Sequence, residues 1–304
     1  MKKDKYSVVV DPQYHYRRLE PIPTVEEIDG FYRERYYNLV AAGGRASELN
    51  KILKGGEDKK TELAWLSQTL WKDIQDTLEE ILTKKQELRL LDVGCGTGHF
   101  GQYMIDAGWD VIGIEPSKDA AELANSLGFE VYETLEECLD HETSQFDAIT
   151  LLNVLEHVPD PVSFLQNVIN FMDAQSILVI RVPNDFSSIQ ENAQKKLGIN
   201  PWWIAIPDHI NYFDFESLGK LLEKLGLEVV VMLSDFPMEM FLLFGDNYVG
   251  NPELGNTCHR KRMSFELSIS GNLRRSIYKC FASNDIGRNV LVFARLCKFY
   301  GEKL

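Results

Sequence analysis

Leu90-Leu91-Asp92-Val93-Gly94-Cys95-Gly96-Thr97-Gly98-His99-Phe100-Gly101 is an apolar run that ends on a glycine-dense turn and resumes as helix-compatible sequence. The apolar residues read as a short buried strand. The glycines permit the positive φ angles of a tight turn and let a ligand lie directly against bare backbone. A helix starting near His99 would point its free N–H groups at the same place. Strand, ligand-binding turn and helix together form the opening unit of an open α/β sheet.

Outward from that unit, short apolar strands alternate with helical stretches, the habit of a parallel sheet with crossover helices. The strands assigned are 89–93, 110–114, 130–132, 146–152, 176–182 and 227–233, with a seventh at 289–296. More than fifty residues separate the last two, with Gly245, Gly250, Pro252, Gly255 and Gly271 among them. So long an excursion inside a domain usually has a task, such as covering a site.

Before residue 86 the pattern is different. Pro12, Pro21 and Pro23 mark an extended arm, and Thr24 with Glu27 forms a capping box for a helix running to about Ala42. That helix carries Tyr32, Tyr36 and Tyr37, candidates for contact with a substrate, and Gly43-Gly44 ends it. Leu63, Leu66, Leu70, Ile74, Leu78 and Ile81 then recur at steps of three and four, the stripe of one long amphipathic helix ending near Lys85. The organisation expected is an N-terminal arm and helical cap over 1–85, then a ligand-binding domain over 86–304 with an insertion at about 235–288.

The chain of 304 residues, 44% apolar and 26% charged, has the composition of a globular protein. It shows neither the apolar run of a signal peptide nor the roughly 20 apolar residues of a membrane span. Its five cysteines form no C-x-x-C pair, which fits reduced thiols, so a cytoplasmic protein that does not engage membranes is expected. A net charge of −14 disfavours nucleic acid as a partner. Residues 258–288 are the exception, with seven basic residues against two acidic ones. Arg260, Lys261, Arg262, Arg274, Arg275, Lys279 and Arg288 could hold an anionic substrate or form salt bridges to the acidic remainder.

Two ligands compete for the glycine turn. Gly96-x-Gly98-x-x-Gly101, with Glu115 19 residues beyond Gly96, satisfies a dinucleotide fingerprint and would make the chain an NAD-dependent oxidoreductase. The spacing Gly94-x-Gly96-x-Gly98 directly after Asp92 favours the other choice, because an acid at the strand end suits a cationic ammonium better than a pyrophosphate.

With those residues the chain resembles the class I S-adenosylmethionine-dependent methyltransferases. Leu91 to Gly98 match the first motif of the family, and Glu115, ending Val111-Ile112-Gly113-Ile114-Glu115, matches the acid that takes both ribose hydroxyls. Phe146 to Val158 resemble the fourth-strand motif of the branch that includes the ubiquinone-biosynthesis O-methyltransferases. The resemblance implies a Rossmann-like seven-stranded, mostly parallel sheet with an antiparallel last strand, and S-adenosyl-L-methionine as cofactor. It places Asp92, Gly94, Cys95, Gly96, Gly98, Glu115, Asn153 and Leu155 at that cofactor. The family's adenine-binding acid has no counterpart in Tyr132-Glu133-Thr134-Leu135-Glu136.

The methyl acceptor should meet the cofactor beyond the carboxyl ends of the central strands. His157 lies there, as a base or as a lining residue. Asn200 to Phe213 form a loop dense in functional side chains. In it His209 is the first candidate for a general base, Asp208 a partner to orient it, and Trp202, Trp203, Asn211 and Tyr212 substrate contacts. Val182-Pro183-Asn184-Asp185-Phe186 and Asp208 to Phe213 look like a branch found with bacterial sugar and natural-product pathways, though the cysteine-rich zinc domain of the sugar-carbon methylating relatives is missing. The acceptor expected is a small molecule, a sugar or an anionic metabolite. No metal is expected, because the acids show no ligand spacing along the sequence. A fold that binds S-adenosylmethionine without turnover is the remaining alternative.

Overall fold

The computed structural model describes residues 5–24, 26–28, 55–83, 86–142 and 144–297. The helix expected over 24–42 therefore lies mostly outside the described residues, as do Tyr32, Tyr36 and Tyr37. Its capping box is present, with Thr24 Oγ1 accepting from the Glu27 amide at 3.3 Å and Glu27 Oε2 accepting from the Thr24 amide at 3.2 Å.

The N-terminal arm is more ordered in pattern than its prolines suggested. Strands β1 (Ser7–Val10) and β2 (Arg17–Glu20) pair antiparallel. Helices α1 (Gly56–Gln68) and α2 (Leu70–Ile81) replace the single long helix expected. The break at Thr69 has a local cause. The Thr69 hydroxyl donates back to the Trp65 carbonyl at 2.7 Å, and the Gln68 carbonyl accepts from Arg274 at 3.0 Å.

The strands of the main sheet follow the sequence reading to within two residues. They are β3 (Arg89–Val93), β4 (Asp110–Ile114), β5 (Glu130–Tyr132), β6 (Ala148–Leu152), β7 (Ile177–Pro183), β9 (Leu227–Leu233) and β10 (Asn289–Leu296). The crossovers hold α3 (His99–Asp106), α4 (Lys118–Ser126), α5 (Leu135–His141), α6 (Pro161–Ile169), α7 (Ser188–Leu197) and α8 (Phe215–Lys224). A two-residue strand β8 (Asn211–Tyr212) lies between α7 and α8 and pairs with β2.

Strand order in the main sheet is β5-β4-β3-β6-β7-β10-β9. The first five strands pair parallel, and β10 runs antiparallel to both β7 and β9. This is the Rossmann-like, mostly parallel sheet with an antiparallel last strand. Every residue of β7 is buried, as expected of an apolar strand covered on both faces. Chain order reverses between β3 and β6, so their carboxyl ends part and open a crevice. The glycine turn sits at that crevice.

The excursion after β9 forms three helices, α9 (Glu239–Phe244), α10 (Pro252–Leu267) and α11 (Gly271–Ala282). α10 packs on α1 and α11 on α2, while α9 packs on α7. Trp65, Leu66, Trp71, Ile74 and Met263 share one core cluster on one side of the sheet.

The buried arginines of this stretch are held in ion pairs, two of them across that packing. Arg274 clamps Asp73 with two bonds of 2.7 and 2.9 Å, and Arg275 reaches Asp76 at 2.7 Å and Glu80 at 3.0 Å. Arg262 lies 3.2 Å from Glu266 and 3.4 Å from Asp235. Trp65 Nε1 donates to Glu266 at 2.7 Å. Of the two readings of the basic segment, these side chains follow the salt-bridge one.

Candidate active site

The turn after β3 takes the conformation its glycines allow. Gly94, Gly96 and Gly98 have φ of 74°, 55° and 77°. The three glycines do not all lack a side chain for the same reason. A Cβ on Gly94 would stand 2.5 Å from Val154 Cγ2, and one on Gly98 would stand 2.8 Å from the Ala124 backbone. A Cβ on Gly96 would meet nothing within 4 Å, so the backbone at Gly96 faces open space. Two glycines let the turn pack, and the third leaves room above it. Cys95, half-buried, packs its sulfur where a side chain on Gly113 would fall, and burial raises its thiol pKa.

Two acids flank that space. Glu115, at the end of β4, accepts from the Gly96 amide at 2.9 Å through one oxygen and from the Ser117 amide at 2.9 Å through the other. A carboxylate has about four lone-pair sites, so both oxygens keep acceptor capacity. Burial raises the pKa of Glu115 despite these two bonds. Asp92 is 3% exposed, and its Oδ1 accepts from the Thr150 hydroxyl at 2.7 Å. Burial pushes its pKa up to about 7, against the lowering effect of Thr150 and with the negative charge of Glu115 adding to the rise.

The donor set fits S-adenosylmethionine. A buried carboxylate held near neutrality in pKa is relieved by a cationic ammonium, the acceptor oxygens of Glu115 suit hydroxyls, and Gly96 leaves the ligand its room.

Beyond β6 the chain turns through Asn153 at φ 61° into a single turn over Leu155–His157. The segment around residue 209 is stapled to it. The Ile210 amide donates to the Glu156 carbonyl at 2.7 Å, and the Asn211 side-chain amide donates to the Leu155 and Val158 carbonyls at 3.1 and 2.7 Å. His157 and His209 consequently meet edge to face, with ring centroids 5.0 Å apart.

Asp208, expected to orient His209, engages His157. Its backbone oxygen is 2.8 Å and its Oδ1 3.3 Å from His157 Nδ1. Burial alone would lower the His157 pKa. The Asp208 hydrogen bond and the charges of Glu156 and Asp208 outweigh it and raise the value to about 9. The same contacts favour the protonated form of His157.

Other expected site residues have structural employment. Leu155 is fully buried in the core, so its side chain is not at a ligand surface. Asn211 and Tyr212 are both 1% exposed, Asn211 being the staple just described and Tyr212 part of β8. Trp203 is buried edge-on against Phe186, while Trp202, in T-shaped contact with it, is half-buried. Asn153 donates to Glu156 Oε1 at 3.1 Å and accepts from Arg181. The sequence places Glu156 at the acceptor end of the central strands without giving it a role, and it does not single out Thr150. The adjacent acid–imidazole pair Glu156-His157 after an apolar strand was the available signal for Glu156, whereas nothing local marks Thr150.

A family model described as a methyltransferase domain matches residues 66–231. A ubiquinone biosynthesis O-methyltransferase of Alkalilimnicola ehrlichii is 42% identical over 95 residues, 29% of this chain and 38% of that protein. One from Aliivibrio fischeri is 34% identical over 155 residues, 46% of this chain and 64% of that protein. The chain thus spans less than two thirds of either curated relative. Among solved structures, the [4+2]-cyclase SpnF aligns with a TM-score of 0.53 at 16% identity, over 91% of this chain and 98% of that one. The plantazolicin methyltransferase BpumL, in complex with a triazolic desmethylPZN analog and SAH, aligns with a TM-score of 0.52 at 14% identity, over 89% and 95%. At these identities the two structures share the fold with this chain.

Proposed function

This chain belongs to the class I S-adenosylmethionine-dependent methyltransferase family, and we propose that it transfers a methyl group to a hydroxyl of a small-molecule acceptor. The observation that carries the reading is the open backbone at Gly96 between the carboxylates of Asp92 and Glu115. When bound, the cofactor supplies a methyl group already activated on a sulfonium. The chain's own task is to hold the two reactants in line, an orientation effect that contributes several kcal/mol.

Asp92 takes the ammonium group of the cofactor and Glu115 its ribose hydroxyls. His209 accepts the hydroxyl proton of the acceptor. His157, anchored by Asp208, packs edge to face against the His209 ring and fixes its orientation. Trp202 offers an aromatic surface of the kind sugars and planar metabolites use. An anionic acceptor finds less support, since Arg262, Arg274 and Arg275 are committed to buried ion pairs.

Calorimetric titration with S-adenosylmethionine, with NAD as the control, tests the premise. Micromolar binding of S-adenosylmethionine alone, weakened in Asp92→Ala and Glu115→Ala, is expected. Preference for NAD, or no binding of either, refutes it. Hydroxylated sugars and phenols are then screened for acceptor-dependent release of S-adenosylhomocysteine.

A further inference from the structure

Glu156, His157 and His209 each offer a ligand atom, and the three atoms lie within 4.8 Å of one another. Three observations distinguish this cluster from a chance meeting of polar groups. Glu156 is 1% exposed, and among the described residues its Oε2 accepts no hydrogen bond, while Oε1 is held by Asn153. A buried carboxylate oxygen left without a partner is costly, and a cation relieves that cost. The ring of His157 is oriented by its Nδ1 side, against the Asp208 carbonyl and carboxylate, which leaves Nε2 toward Glu156, 3.9 Å from Oε1. A metal-bound histidine characteristically gives its other N–H to a carboxylate or backbone carbonyl in this way. Finally, the two segments are bolted together by the Ile210–Glu156 backbone bond and by the Asn211 side chain on the Leu155 carbonyl, so the ligand atoms are held close before any ion arrives.

We propose that Glu156, His157 and His209 form a site for one divalent transition-metal cation of the zinc, cobalt or iron(II) type. Two imidazoles and one carboxylate are a set these ions favour, and three protein ligands leave a coordination position open. Ligand atoms around tetrahedral zinc stand about 3.4 Å apart, so the ion draws the three inward by about 1 Å, within reach of side-chain rotation. The cation replaces the proton on His157 Nε2, and Nδ1–H continues to donate to Asp208. The expectation that no metal is needed is revised accordingly. It rested on spacing along the chain, and the fold closes a gap of some fifty residues. Binding of the ion is independent of methyl transfer. A bound ion occupies the His209 nitrogen and displaces the His157 proton, so in the metal-loaded protein the ion, holding an acceptor oxygen in the open position, takes the place of His209 as the activating group; that use rests on the reading above.

The test titrates cobalt(II) chloride into chelator-treated protein without any cofactor and reads the visible d–d bands. One saturable site per chain is expected, with affinity lowered at least about tenfold in His209→Gln and in Glu156→Gln and unchanged in the exposed control His141→Ala. Thermal melts of the metal-free variants identify any that fail to fold. A second measurement needs no variant: of the six histidines, only the ring signals of His157 and His209 broaden in the NMR spectrum on adding cobalt. No saturable site, equal loss in His141→Ala, or broadening at other histidines instead overturns the proposal. S-adenosylmethionine binding, lost in Asp92→Ala, is scored separately, so either reading can fail alone.

Discussion

Replacing Asp92 by asparagine should stabilise the ligand-free protein above neutral pH and at the same time weaken cofactor binding. The carboxyl is 3% exposed, and burial raises its pKa from 3.8 to about 7. Because the folded-state pKa is above the unfolded one, the stability that Asp92 contributes is fully present below about pH 4. It is lost progressively as pH rises and is gone above about pH 7. A shift of about three units corresponds to about 4 kcal/mol at 1.36 kcal/mol per unit. Asparagine resembles the protonated acid and keeps an oxygen for the Thr150 hydroxyl, so Asp92→Asn avoids the loss. In urea unfolding followed by tryptophan fluorescence, the variant should exceed the parent by about 1.5 kcal/mol at pH 5 and about 4 kcal/mol at pH 8. Saturating S-adenosylmethionine should narrow the difference at pH 8, because it stabilises the parent selectively. A difference independent of pH, or a variant less stable than the parent at pH 8, would show that Asp92 is not the strained acid described.

The glycine turn separates two kinds of substitution. Gly96→Ala meets no neighbour and should cost about 1–2 kcal/mol for its left-handed backbone while sharply reducing cofactor affinity in calorimetry. Gly98→Ala strikes the Ala124 backbone and should cost more than about 3 kcal/mol in thermal or urea unfolding. Arg274→Ala leaves the buried Asp73 with Arg275 alone, 3.5 Å away, and should cost about 3 kcal/mol. Arg274→Met combined with Asp73→Leu should recover most of it, and failure of the double variant to exceed the single one would count against the ion-pair account. Asp208→Asn should bring the His157 pKa down from about 9 toward 6.5, read from its ring carbon shifts. For a histidine with a raised pKa, the stabilisation is full below about pH 6.5 and disappears by about pH 9. The parent's advantage over Asp208→Asn, up to about 3 kcal/mol, should follow that course.

Much of this architecture was legible without coordinates, because its determinants are local. The strands at 89–93, 110–114, 130–132, 227–233 and 289–296 are bounded as the apolar runs and turn residues indicated. Gly94, Gly96 and Gly98 adopt the positive φ values that only glycine takes readily. The acids at the ends of β3 and β4 are sited by strand length alone, so Asp92 and Glu115 were readable as a pair flanking the turn.

What depended on the tertiary structure are the contacts between residues far apart in sequence. No periodicity shows that Thr150 will cap Asp92, or that Asp73 will take Arg274 from a helix two hundred residues later. A basic segment on an acidic chain could equally have been a ligand site. Whether such charges face solvent or one another depends on which helices pack, and the apolar contacts of Trp65, Trp71 and Met263 settle that. Asn211 and Tyr212 looked like substrate residues because polar and aromatic groups in a loop often are. Their burial follows from β8 pairing with an N-terminal hairpin that prolines had disguised as an arm. The meeting of Glu156 and His157 with Asp208 and His209 is of the same kind. It arises from backbone hydrogen bonds between two loops, and those bonds exist only once the sheet has set the loops side by side.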